Sequence, residues 1–205
     1  MGTTNAKMEQ TTSNDITTRY HALKDGVGFA RLDRGIVRLV GADRIDLLHR
    51  LSTADLARLA PGQIANTIIT SEKGRIVDLL DVVVRTENLL LISSFSDAAA
   101  TLAWVEKYTI MDDVEGELLS QQFALLGVYG DRTFQMVDRI IGTGGMLPSG
   151  SWVTGEIDDR ELIVWRGEGL NGPSALLLLG DPAAVEAVAR ELSSAGAVEI
   201  DPELM

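Results

Sequence analysis

Apolar residues in this chain come in short runs, some alternating with polar positions and some at helical spacing, divided by glycine, proline and acidic residues. Residues 28–32 and 36–40 read as two strands. Asp33-Arg34-Gly35 between them suits a tight turn, so an opening hairpin is expected. Asp43 stands where a helix N-cap belongs, and Ile45, Leu47, Leu48, Leu51, Leu56 and Leu59 recur at helical spacing until Pro61-Gly62, which predicts two short helices. Residues 63–70, 75–85 and 88–93 are rich in Ile, Val and Leu and read as neighbouring antiparallel strands. Asp97 opens a helix running to about Tyr108, and an acidic loop follows at residues 112–117. Residues 123–129 form a strand, Asp131 caps a helix through Phe134, Met136 and Ile140, and residues 142–150 make a glycine-rich loop. Three more strands, 152–157, 161–165 and 175–179, precede a closing helix at 182–194 with Pro182 in its first turn.

The element order repeats in outline and predicts an α+β fold of two similar subdomains with mostly antiparallel sheets. Residues 15–117 and 118–205 form the two halves, after a disordered tail at 1–14. With 205 residues and 45% hydrophobic content, the chain is long enough to bury a core in each half. The absence of cysteine removes disulfides, thiol nucleophiles and thiolate metal sites. A net charge of −12 argues against a nucleic-acid partner, because phosphate binding needs a cationic surface. The stretch from Arg19 to Arg50 is a local exception, with seven Lys or Arg against four acids, suited to a small anionic ligand. No apolar run approaches the roughly 18 residues of a membrane span, and the first fifteen residues hold no apolar signal core, so a cytoplasmic protein without a membrane partner is expected.

Residues 51–78, LSTADLARLAPGQIANTIITSEKGRIVD, carry the densest candidate chemistry. A helix leads through a Pro-Gly turn into a strand, and Lys73-Gly74-Arg75 turns the chain into a second strand carrying Asp78, the residue expected to do chemistry. The plainer alternative sets Asp78 on the polar, solvent side of a sheet. Lys73 and Arg75 can clamp an acidic ligand or serve as a charged turn. His49 reads as a structural histidine on an apolar helix face, and Trp104, Trp152 and Trp165 read as core residues before ring-stacking ones. The 142–145 loop lacks the Lys-Ser or Lys-Thr of a phosphate cradle, and the acids at 112–117 lack calcium-loop spacing.

Taken together, Gly41, Asp43, Leu47-Leu48, Leu51-Ser52-Thr53-Ala54-Asp55-Leu56, Leu59, Pro61-Gly62-Gln63, Glu72, Gly74, Arg75 and Asp78 resemble the folate-binding domain shared by glycine cleavage T-proteins and YgfZ-type accessory proteins. The match of order and spacing runs from Gly28 to about Gly130. It implies a tetrahydrofolate pocket between two similar subdomains, without the C-terminal barrel of longer members. It further implies a carboxylate, Asp78, that binds a folate nitrogen and stabilises a cationic iminium. Lys73, Arg75, Ser93 and Glu168 are the accompanying folate-binding residues.

The departures from the family pattern bear on activity. T-proteins carry two adjacent acids where this chain has Asp78-Leu79, an asparagine where it has Ser93, and a Gly-Tyr-Thr-Gly-Glu motif where it reads Arg166-Gly167-Glu168-Gly169-Leu170-Asn171-Gly172. The resemblance therefore implies first a YgfZ-like accessory protein in one-carbon or iron–sulfur protein metabolism. The alternatives are an aminomethyltransferase and a scaffold subunit that has lost folate. A homodimer or a partner chain is expected to cover the surface that a barrel would occupy.

Overall fold

In the computed structural model, residues 26–145, 147–167 and 175–201 are described. The described residues hold four helices and eleven strands in two sheets. The five-stranded sheet has the order β3-β4-β5-β2-β6, built from β2 (Ile36–Val40), β3 (Ile64–Thr70), β4 (Ile76–Val84), β5 (Leu89–Ser93) and β6 (Glu115–Leu118), with every pairing antiparallel. The six-stranded sheet has the order β11-β1-β7-β10-β9-β8. Its strands are β1 (Gly28–Leu32), β7 (Ala124–Tyr129), β8 (Trp152–Ile157), β9 (Arg160–Gly167), β10 (Ala175–Gly180) and β11 (Val198–Glu199), and only the β1–β11 pair is parallel. The α+β class with mostly antiparallel sheets is the architecture observed.

Two local readings need correction. Residues 28–32 and 36–40 do not form a hairpin, because β1 pairs with β7 and β11 while β2 pairs with β5 and β6. Asp33-Arg34-Gly35 is a crossover that carries the chain from one sheet to the other. The acidic stretch is not all loop either: Glu115–Leu118 is β6, an edge strand whose Glu117 side chain pairs with Arg38 opposite it.

Three apolar layers follow from strand alternation. On one face of the five-stranded sheet, Leu80, Val82, Val84, Leu89 and Leu91 pack with α1 (Arg44–Leu51) and α2 (Ala99–Tyr108). On the outer face of the six-stranded sheet, Leu126, Val128, Leu162, Val164, Leu176 and Leu178 pack with α3 (Thr133–Ile141) and α4 (Pro182–Ser194). Between the sheets lie Ile36, Ile64, Val83, Leu90 and Ile92 from one and Leu125, Ile163, Trp165 and Leu179 from the other. The molecule is thus a helix–sheet–sheet–helix sandwich.

Of the four helices, α4 has a side-chain N-cap, with Asp181 Oδ1 accepting from the amides of Ala183 and Ala184 and Pro182 at the first position. The predicted run 43–59 yields one helix, ending at Leu51; beyond it Leu56 and Leu59 still pack in the core, but from irregular chain on either side of a turn at 57–58.

Candidate functional site

The two acids of β4 point in opposite directions. Counting along the strand, Asp78, Leu80, Val82 and Val84 face the helices, whereas Leu79, Asp81 and Val83 face the other sheet. Asp78 is completely buried. Its Oδ2 accepts from Ser93 Oγ at 2.6 Å and from Thr101 Oγ1 at 2.5 Å, and its Oδ1 accepts from the Ser94 amide at 3.2 Å. Sequence reasoning placed Asp78 and Ser93 in one site, and the structure does bring them together. Their meeting point lies in the helix-side core, where the carboxylate ties β4 to the end of β5 and to α2.

Lys73 and Arg75 are exposed in the β3–β4 turn, where Gly74 takes φ +69° and the Arg75 amide donates to Ser71 Oγ. Asp81 lies about 20 Å along β4 from that turn at the strand rise of ~3.3 Å per residue. Glu168 lies outside the described residues. His49 is structural: its Nδ1 accepts from the Leu56 amide at 3.2 Å and so fixes the turn after α1.

The resemblance implied a pocket between the two halves, but sequence reasoning named none of Asn66, Asp81 and Tyr129, which lie between the sheets. Register places Tyr129, Ala175 and Gly167 in one row across β7, β10 and β9, and Ala30, Gly127, Leu177, Trp165 and Trp152 in the next. Glycines at one end of the six-stranded sheet make room for larger side chains, with Tyr129 lying over Gly127 and Leu177 over Gly167. Tyr129 folds back over Gly127 so closely that a Cβ there would stand 2.2 Å from the tyrosine Oη. Burial pushes the Tyr129 hydroxyl up to about 12, against a smaller downward pull from the nearby Arg34 guanidinium, so it stays protonated at neutral pH.

Opposite this end of the six-stranded sheet, the five-stranded sheet presents Leu79, Asp81 and Asn66, with Ser94 beside them. Asn66 donates its amide to Asp81 Oδ1, and the Trp165 indole, from the other sheet, donates to Asp81 Oδ2 at 3.3 Å. Arg34 donates to the Ser94 carbonyl. A second indole, Trp152, donates to the Val84 carbonyl at 3.0 Å, so both tryptophans anchor the six-stranded sheet to β4. The mouth between the sheets thus combines aromatic side chains, a half-buried carboxylate, a primary amide, a neutral phenol and a guanidinium. That set matches a planar heterocycle with both N–H donors and acceptor atoms, with a negative group outside it.

Another concavity, about 650 Å³, lies on the outer side of the six-stranded sheet between α3, α4 and the β8–β9 turn, lined by Arg139, Ile140, Ile157, Arg190 and Glu191 among others. None of the sequence-predicted site residues lines it.

Fold and site together define a two-sheet α+β domain with a polar, aromatic mouth between its sheets. The chain belongs to the GCVT N-terminal domain family, whose pattern matches residues 7–193. It is 28% identical over 184 residues to an aminomethyltransferase of Rubrobacter xylanophilus, covering 89% of this chain and 49% of that protein. It is 31% identical over 121 residues to an aminomethyltransferase of Bacillus subtilis, covering 58% and 33% respectively. The chain therefore spans about half or less of the length of these curated relatives. Among solved structures it is similar to the glycine cleavage system aminomethyltransferase T of Bartonella henselae, with a TM-score of 0.78 and 16% identity over 90% of this chain and 50% of that one. It is also similar to a chain of the heterotetrameric sarcosine oxidase of Corynebacterium sp. U-96, with a TM-score of 0.59 and 14% identity over 85% and 88% of the two chains.

Proposed function

We propose that this chain binds tetrahydrofolate, or a closely related reduced folate, in the mouth between its two sheets, and that it does so as an accessory, YgfZ-like protein. The observation carrying the reading is the meeting of Asp81, Asn66 and the Trp165 indole in the layer between the two sheets of a domain of this family. A pterin ring is flat and edged with N–H donors and acceptor nitrogens, and Asp81, Asn66 and the Tyr129 hydroxyl supply complementary groups. Arg34, or Lys73 and Arg75 at the β3–β4 turn, would receive the acidic tail.

Leu79 supports the accessory role. It faces the mouth, beside Asp78, and cannot stabilise a developing cation. Bound folate would then serve as a sensor or carrier in one-carbon or iron–sulfur protein metabolism. Aminomethyl transfer is the second reading, and what favours it is the naming of the relatives from Rubrobacter xylanophilus and Bacillus subtilis as aminomethyltransferases. The sarcosine oxidase neighbour, a chain of similar span in a heterotetramer, favours assembly with a partner chain in either case.

Calorimetric titration with tetrahydrofolate tests the proposal. Saturable one-site binding is expected, without release of formaldehyde or ammonia from an aminomethyl donor. No heat at millimolar ligand would sink the folate reading, and turnover with an aminomethyl donor would establish transfer in place of the accessory role.

A further inference from the structure

Two large apolar side chains stand in solvent at the turn between α2 and β6: Ile110 is 81% exposed and Met111 95%. The turn itself is tied down on both flanks. Thr109 bonds back to the Val105 carbonyl through its amide at 3.1 Å and its hydroxyl at 3.0 Å. Arg50 donates to Asp112, the Asp113 amide donates to Asp43 Oδ2 at 2.8 Å, and Asp113 Oδ2 accepts from the Ala42 amide at 3.0 Å. Gly41 makes room for this anchor, since a Cβ there would stand 2.0 Å from the Asp113 carbonyl oxygen. The chain therefore holds in place a tip whose outermost groups are hydrocarbon, where polar residues would suit a solvated turn better. The same face continues past the end of α2. Tyr108 Oη donates to Glu72 Oε1 at 2.8 Å and Lys107 Nζ to the same oxygen at 3.3 Å, so the β3–β4 turn is joined to the last turn of α2. Next to Glu72 in that turn lie Lys73, Arg75 and Ile76, all exposed, Ile76 by 58%.

From this arrangement we infer that the face is the contact between two copies of this chain, related by a twofold axis, with the Ile110-Met111 tip of each copy against the Lys73-Gly74-Arg75-Ile76 turn of the other. Charge selects a second copy as the occupant. The exposed acids Glu106, Asp113 and Glu115 flank the apolar tip, whereas Lys73 and Arg75 flank Ile76. Among the described residues neither of these two cations has an ion-pair partner. A twofold axis repeats every contact, so a face that carries an acidic apolar tip and a basic apolar turn side by side is complementary to itself. Pairing would cover Ile76, Ile110 and Met111 of both copies at once, and the anchored tip would lose little freedom in docking. The net charge of −12 repels a second copy at long range, but at physiological salt that repulsion is screened beyond about 8 Å, while ion pairs inside the contact persist. With Lys73 and Arg75 engaged in this way, Arg34 is the cation left at the mouth between the sheets.

Sedimentation equilibrium of the full chain, without ligand, tests this. A reversible dimer is expected at tens of micromolar chain. Met111→Asp should weaken it at least about tenfold, because it places a charge at the centre of the contact. Two charge reversals make the test specific: Lys73→Glu with Arg75→Glu, and Glu106→Lys with Glu115→Lys. Each set sets like charges against each other in its own dimer and should weaken association about tenfold. An equimolar mixture of the two sets should dimerise again, since each reversed turn then meets a reversed tip. The Glu→Lys set lowers the net charge, which alone would favour association, so its loss of dimer reads the contact and not the overall charge. All the substituted positions are exposed, so the variants are expected to fold. A monomer throughout in the unmodified protein, a dimer that Met111→Asp leaves intact, or charge variants that stay monomeric when mixed would overturn the inference.

Discussion

Replacing Asp78 by alanine is expected to destabilise the protein by about 3 kcal/mol, seen as a lower urea midpoint, because the Ser93 and Thr101 hydroxyls and the Ser94 amide would all lose a buried acceptor. A stability within about 0.5 kcal/mol of the unmodified protein would show that this network contributes little. Asp78 and Ser93 were marked in the sequence as folate-binding residues, with a solvent-facing Asp78 as the alternative; that the two pair with each other in the core was not read. The direction of Asp78 was not legible either. Ile76 is opposite Thr70 while Asp78 is opposite Ile69, and this register shift upsets alternation from the start of the strand. Only the apolar partners of Leu80, Val82 and Val84 reveal which side is the helix side. Asp81 was passed over for the same reason, although its spacing from Asp78, an odd number of residues, already placed the two acids on opposite faces. The role of Gly127 had no signal at all, because nothing in the sequence says that Tyr129 turns back over it.

Among elements, burial sets the order in which backbone amides open. All five residues of β5 are buried, and the strand is paired on both sides by β2 and β4. β6 is an edge strand with no buried residue. Native-state hydrogen exchange should therefore be slowest in β5 and the centre of β4 and faster by orders of magnitude in β6; comparable protection in β5 and β6 would contradict the sheet order described here. Strand identities were readable because Val, Ile and Leu cluster between turn residues. Strand partners were harder. The β3–β4 and β4–β5 neighbours follow from short turns, but β1 and β2 are also joined by a short connection and still enter different sheets. What decides this is the fit of Phe29 into the layer under α4 and of Ile36 into the layer between the sheets, a tertiary preference that a three-residue connector does not encode. The acidic stretch before β7 was misread in a similar way, since Glu115 and Glu117 look like loop residues and become strand only by pairing with Val40 and Arg38.

For the molecule as a whole, two sheets with helices outside both leave one end of the inner layer polar and aromatic, and that asymmetry is the basis of the functional account. The two indole bonds to β4 tie the two sheets together, and under the proposed function they would hold the site ready before any ligand arrives. Family membership and the two-layer α+β plan were within reach of the sequence, because the 51–78 motif sets turn, strand and acid in a fixed order. A pocket between the two halves was implied by the resemblance, but the residues facing it were not readable, because they come from β7, β9 and β10 late in the chain and from β3 and β4 early in it. The most direct test is a crystal structure of the protein soaked with 5-formyltetrahydrofolate. The account predicts the pterin ring between the sheets, beside Tyr129 and within hydrogen-bonding distance of Asn66 or Asp81. A ring found instead in the groove between α3 and α4, against Arg139 and Arg190, would contradict it.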